Sequence, residues 1–225
     1  MKNPILAFVF LSAFFPPAYA STEFRRSSSA ITTKTSVYDT LPESKAQFFG
    51  VRFMKPVLPG VLYRGAGSGG QHPLIAEQLN ALCEAGFSEA FYLYPNGFNS
   101  NQPITCRSNG RNQQLAYSVE GFRPRNGRHQ TLKKIYDVIQ NPGLGPVFVH
   151  CWNGWHASGE VAAIALMQFC GWSGSQAAAY WEKNIGDKGN ISRYQGIMHK
   201  HIAGFEPFAD LRIDESTQRK LCPQQ

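Results

Sequence analysis

Beyond its first twenty residues the chain has no apolar run long enough to cross a bilayer, no Lys/Arg cluster and no Cys-x-x-Cys pair. The first absence argues against stable membrane insertion of the mature protein. The second removes the usual arm for nucleic acid or a polybasic membrane patch, because the formal charge of +7 is spread along the chain. The third removes a zinc ribbon and a thioredoxin-type redox site. His129, His199 and His201 have no metal-ligand spacing, so neither a metal nor a cofactor is expected. Acidic residues are also scarce, 15 against 22 basic. That balance suits an anionic ligand, and a solvated basic surface would explain it equally well.

The first twenty residues have a different character. Lys2 gives a short positive region, Ile5 to Phe15 an apolar stretch, Pro16-Pro17 a break, and Ala18-Tyr19-Ala20 a small-x-small cleavage site. Residues 1–20 are expected to be a signal peptide cleaved after Ala20, with a periplasmic or secreted product. Residues 21–47, rich in Ser, Thr and charge, are expected to be a flexible segment. A single α/β domain is expected over 48–205, and a C-terminal tail over 206–225. Five cysteines, Cys83, Cys106, Cys151, Cys170 and Cys222, remain after cleavage. In an oxidising compartment an odd number leaves at least one thiol unpaired within the chain. The pairing of the rest is open.

Hydrophobic periodicity predicts strands at Val61–Arg64, Phe91–Tyr94, Leu115–Phe122 and Pro146–Val149. It predicts helices over 73–84, 131–140, 158–169, 175–183 and 192–201. The polar stretch 98–114 reads as a long loop. Alternating strands and helices define an α/β class, a central mixed sheet flanked by helices. Gly65-x-Gly67-x-x-Gly70 has dinucleotide-fingerprint spacing, but no helix opens directly from it and no acid closes the next strand.

The chemistry is concentrated at His150-Cys151-Trp152-Asn153-Gly154-Trp155-His156-Ala157-Ser158, a strand running through a cysteine and a glycine turn into a helix. Inward N–H groups and the positive end of a helix make such a turn a cradle for a phosphate-like anion. A thiolate there could attack phosphorus. This segment resembles the His-Cys-x-x-Gly-x-x-Arg-Ser/Thr signature of the protein-tyrosine and dual-specificity phosphatases. Pro59-Gly60-Val61-Leu62-Tyr63-Arg64 is similar to the entry strand of that family's compact members, and the element order follows over about residues 48–182.

The resemblance implies a dual-specificity-phosphatase-like fold with the cysteine loop between a strand and a helix. It implies Cys151 as nucleophile, Ser158 as the hydroxyl assisting turnover and His150 as a support of the loop. Trp152, Asn153, Gly154, Trp155, His156 and Ala157 would line the anion site. A phosphorylated protein or a small anionic phosphoester would be the partner. Two positions depart from the pattern. Ala157 stands where the family carries its phosphate-gripping arginine, and Asn126 lies near the place of the general-acid aspartate. Arg123, Arg125 and Arg128 are candidate replacements for the first, and Glu120 and His129 for the second.

Overall fold

The protein is described by a computed structural model over residues 47–48, 50–69, 72–94, 98, 103–108, 110–185 and 191–223. The expected signal peptide and almost all of the N-terminal segment lie outside them. A two-stranded ribbon, β1 (Gln47–Phe48) and β2 (Val51–Arg52), precedes a six-stranded sheet. The sheet contains β3 (Lys55–Leu58), β4 (Leu62–Ala66), β5 (Glu89–Tyr92), β6 (Ile104–Ser108), β7 (Arg111–Val119) and β8 (Val147–Cys151). Their spatial order is β3-β4-β8-β5-β7-β6. β4, β8, β5 and β7 are mutually parallel, and β3 and β6 close the two edges antiparallel. The fold is therefore α/β, with a mixed sheet flanked by helices and the cysteine at the exit of a strand.

β8 is the pivot of this arrangement. It lies between β4 and β5, and all five of its residues are buried, as expected of a parallel strand covered on both faces. Side-chain alternation sends Val147, Val149 and Cys151 to one face and Phe148 to the other. The face with Cys151 is covered by helices α2 (Arg125–Gln140), α3 (His156–Cys170), α4 (Gly174–Ile185) and α5 (Ile191–Ala203). Helix α1 (Ala76–Glu84) covers the other through Leu79 and Leu82, with Phe148, Tyr92 and Tyr117 below it. α3 is buried from Ala157 to Phe169, so it is a core helix rather than an amphipathic one. Gly171, in the left-handed region at φ 67°, ends it.

Two expectations need correction. Residues 98–114 are not a long loop: 104–108 and 111–119 form an antiparallel hairpin with Ser108 opposite Arg111. Its polar composition belongs to an edge with one exposed face, and the Asn109-Gly110 dipeptide is a two-residue hairpin signal that the polarity masked. The helix expected from 131 begins at Arg125, so Asn126 stands in its exposed first turn.

Two disulfides fasten the periphery. Cys83 of α1 is bonded to Cys106 of β6, which ties the edge hairpin to the helix above it. Cys170, at the end of α3, is bonded to Cys222, just past helix α6 (Glu215–Leu221). The stretch read as a tail thus carries a helix, and Phe208 and Leu211 enter the core. Cys151 is the one free cysteine.

The Cys170–Cys222 bridge closes 52 residues of chain and should restrain the unfolded state accordingly. Cys222→Ser is expected to lower stability by about 2–4 kcal/mol, and reduction of the wild type, which also opens Cys83–Cys106, should cost more. Thermal unfolding with and without reductant checks this. Identical transitions would show that the bridge constrains nothing.

Candidate active site

The Cys151 loop is shaped from the side of β4. Arg64 is 1% exposed, and its Nη1 donates to the Gly154 carbonyl at 2.7 Å. The Gly67 N–H donates to the carbonyls of Cys151, at 2.9 Å, and Trp152, at 3.2 Å. In a planar trans peptide the N–H points opposite to its C=O. Drawing these three carbonyls towards β4 therefore turns the N–H groups of residues 152, 153 and 155 the other way. This is how an anion cradle is made from main chain alone.

Gly154 has to be glycine for two reasons. Its φ is 72°, and a Cβ there would come within 2.8 Å of the Gly65 carbonyl carbon. Gly65 is constrained in turn, because its own Cβ would meet the Phe148 ring at 2.9 Å. The loop and β4 are thus in main-chain contact.

Cys151 is buried, with Sγ 3.4 Å from the Ser158 hydroxyl, which also donates to the Gly65 carbonyl at 3.4 Å. Ser158 is fully buried in the first turn of α3 and can hydrogen-bond a sulfur that carries or sheds charge. Ala157 is buried beside Cys151 in the same core and presents no polar atom.

His150 has no exposure and is sandwiched between rings: Tyr92 stacks on it at 4.9 Å and Phe148 at 5.8 Å. The Tyr117 hydroxyl accepts the Leu74 N–H at 2.9 Å and lies 2.7 Å from His150 Nε2. The two groups share one buried hydrogen bond. Burial pushes the His150 pKa down to about 3. Burial also lowers that of His156, whose carbonyl accepts the Trp181 indole N–H at 3.1 Å. His156 is therefore not a cationic replacement for the arginine.

Trp152 and Trp155 flank the loop, both partly exposed. The Trp152 indole N–H donates to the Tyr92 hydroxyl at 2.7 Å, and its ring lies 4.8 Å from Tyr94. The Trp155 ring faces Phe53 at 6.1 Å. Asn153 is partly exposed between them.

Among the described residues, none of the arginines proposed from sequence is hydrogen-bonded to the loop. Arg128 is paired with the buried Glu160 at 3.2 Å, Arg125 lies over the Phe208 ring at 4.6 Å, and Arg123 is exposed. The acid candidates are similarly engaged. His129 is paired with Asp210 at 2.7 Å, and Glu120 accepts from Ser118 at 3.3 Å. Burial raises the Glu120 pKa, and Asn126 is exposed on α2.

Sequence reasoning assigned no role to Arg64, Tyr92 or Tyr117. A detectable signal was the charged residue in the otherwise uncharged strand Leu62–Ala66. Arg64 has no carboxylate partner among the described residues. Its Nη2 donates to the Asn184 carbonyl at 3.3 Å, and Lys55 Nζ donates to the Asn184 side-chain oxygen at 3.3 Å. The carbonyl end of α4, with its partial negative charge, offsets these two buried cations.

The fold and site together define a class, an α/β domain presenting a free thiol at a strand–turn–helix junction. Among solved structures, the chain is similar to the core catalytic domain of the PP-IP phosphatase SIW14 from S. cerevisiae in complex with citrate. The identity is 15% and the TM-score 0.42, over 74% of this chain and 88% of that one. It is also similar to the Siw14 catalytic core, at 14% identity and a TM-score of 0.45, with the same coverage. No protein-family model and no curated relative matches the chain.

Two outcomes follow from this geometry. Arg64→Met keeps the bulk and removes the bond to Gly154, so vanadate affinity should fall roughly ten-fold, the equivalent of one charge-assisted hydrogen bond. Titration of both proteins checks this, and equal affinities would refute the bracing role. For His150, the unfolded chain takes up a proton below its ordinary value of 6.5, and the folded chain only near 3. Stability should therefore fall as pH drops through that window, by up to about 1.4 kcal/mol per pH unit from this residue. The loss should be shallower in His150→Asn, measured by denaturant unfolding from pH 7 to pH 4.

Proposed function

We propose that the chain is an exported, cysteine-dependent phosphatase-like protein acting on phosphate monoesters through a phosphocysteine intermediate. The observation that carries this reading is Cys151: one free thiol, at a strand exit, 3.4 Å from the Ser158 hydroxyl and at the entrance of a 15-residue helix. In the first step the thiolate forms an S–P bond as the P–O bond to the leaving group breaks. Water then attacks phosphorus, the S–P bond breaks, and Ser158 hydrogen-bonds the departing sulfur. The main-chain N–H groups of the loop face the charge that develops on the phosphoryl oxygens.

No acid stands ready for the leaving oxygen among the described residues assigned to that task. Substrates whose leaving group needs no proton, such as aryl phosphates, should therefore react faster than alkyl phosphates. A phosphorylated protein or a small phosphoester would fit this chemistry. Export is supported by the two disulfides, which suit an oxidising compartment and leave Cys151 reduced.

Ala157 favours a second reading, a protein that binds a phosphorylated or other anionic ligand without turning it over. Release of phosphate from 4-nitrophenyl phosphate separates the two. Turnover abolished by Cys151→Ser is the expected result. Turnover unaffected by that change would remove Cys151 from the chemistry. Vanadate binding without turnover, with activity gained in Ala157→Arg, would establish the binding protein instead.

A further inference from the structure

The Cys151 loop ends where α3 begins, and that start lacks the usual terminal partners. Trp155 at the N-cap makes no side-chain bond to the first turn, and the turn has no acidic residue. The first N–H groups of a helix have no carbonyl partner within it, so those of Ala157 and Ser158 are turned towards the loop. Ser158 brings its hydroxyl 3.4 Å from the Cys151 sulfur, which places this turn beside the thiol. The group that fixes the peptide between His156 and Ala157 lies outside the loop.

Trp181 of α4 is fully buried, and its indole N–H donates to the His156 carbonyl at 3.1 Å. That carbonyl shares a planar peptide with the Ala157 N–H, and the two point in opposite directions. A donor that holds the carbonyl towards α4 therefore turns the Ala157 N–H away from α4. The approach is close. A Cβ on Gly159 would come within 2.9 Å of Trp181 Cδ1, 3.2 Å of its Nε1 and 3.4 Å of Arg64 Nη1. Gly159 is not among the glycines with positive φ, so the need for space and not the backbone explains it. That space admits both the indole and the Arg64 guanidinium. Asn184, on the same face of α4 as Trp181, accepts Arg64 Nη2 through its carbonyl at 3.3 Å. One face of α4 thus reaches the loop twice, directly at His156 and through Arg64 at Gly154.

We propose that Trp181 is a positioning residue of the anion site, aiming the Ala157 N–H at the bound phosphoryl group. The inference rests on the phosphatase-like reading above and deepens it at the same site. Position 157 then serves the anion through its main chain, although its side chain offers no donor. The indole acts through the His156 peptide and not by contact with the anion.

Vanadate titration of the isotope-labelled full chain, followed in its amide NMR spectrum, tests this. In the wild type the Ala157 amide proton should move downfield on binding, because it gains a hydrogen bond. Trp181→Phe keeps a ring and removes the donor. Affinity should fall roughly ten-fold, the equivalent of one hydrogen bond, and the Ala157 response should shrink with it. Gly159→Ala displaces the indole from the other side and should weaken binding similarly. Combined, the two should cost less than the product of their separate effects, since the second change finds the same bond already broken. Trp172→Phe removes an indole whose N–H has no partner, and should bind as the wild type does. Melting temperatures without vanadate verify folding; a purely structural role for Trp181 would lower them and leave the Ala157 response unchanged. A folded Trp181→Phe that binds within about two-fold of wild type would overturn the assignment, as would an equal loss in Trp172→Phe. So would a wild-type Ala157 amide that ignores bound vanadate, a result that needs no variant to fold. Each of these leaves the phosphatase-like reading intact. A wild type that binds neither vanadate nor phosphate would overturn both.

Discussion

The bond from Arg64 to the Gly154 carbonyl joins the buried sheet to the reactive loop, and the rest of the site is arranged around it. The guanidinium crosses from β4 under the turn, fixes one peptide and, with the Gly67 N–H, sets the direction of three. Gly154 can accept that position only because it lacks a Cβ, and Gly65 allows the approach from the other side for the same reason. Ser158 completes the contact by donating to Gly65 while facing Cys151. A change in the pairing of β4 with β8 would therefore be transmitted directly to the thiol.

The two faces of the sheet divide the work at the cysteine. On one side, α3 delivers its N-terminus to the loop, and burial on nearly every side prevents that helix from shifting. On the other, His150 is held neutral among Tyr92, Tyr117 and Phe148, and Tyr92 reaches on to the Trp152 indole. Alternation along one strand places successive residues, His150 and Cys151, into these two environments. The position at the carboxyl ends of parallel strands, between two neighbours with opposite connections, is where open α/β sheets generally bind ligands.

The charge around the site departs from what the loop sequence suggests. No residue of the loop carries a formal positive charge, and burial disfavours one on His156. Positive charge comes instead from β4 and β3, through Arg64 and Lys55 against the carbonyl end of α4. Glu160, one turn beyond Ala157 on α3, engages Arg128 and lies 3.5 Å from His201, so that cation is committed to the packing of α2 and α5 on α3. A buried carboxylate without such partners would be strongly destabilising.

The parts of this structure legible in the sequence were those encoded locally. The run Val147–Cys151, the glycine turn and the apolar helix after it are specified by residues within twenty positions of one another, and strand β4 and helix α1 were equally plain. Periodicity of burial leaves a local trace that needs no partner to be recognised. Strand β6 and the first half of β7 were missed because their polar face is an edge whose cover comes from α1 and a disulfide. What only the tertiary structure decided were the pairings across long separations: Cys170 with Cys222, Arg64 with Gly154, Arg128 with Glu160. An arginine's sequence neighbours do not determine which acceptor it reaches, since a long side chain is placed by the packing of strands and helices far away in the chain. Hence the sequence could report that Ala157 lacks a fork, and only the fold could show that the guanidinium of Arg64 braces the loop from β4.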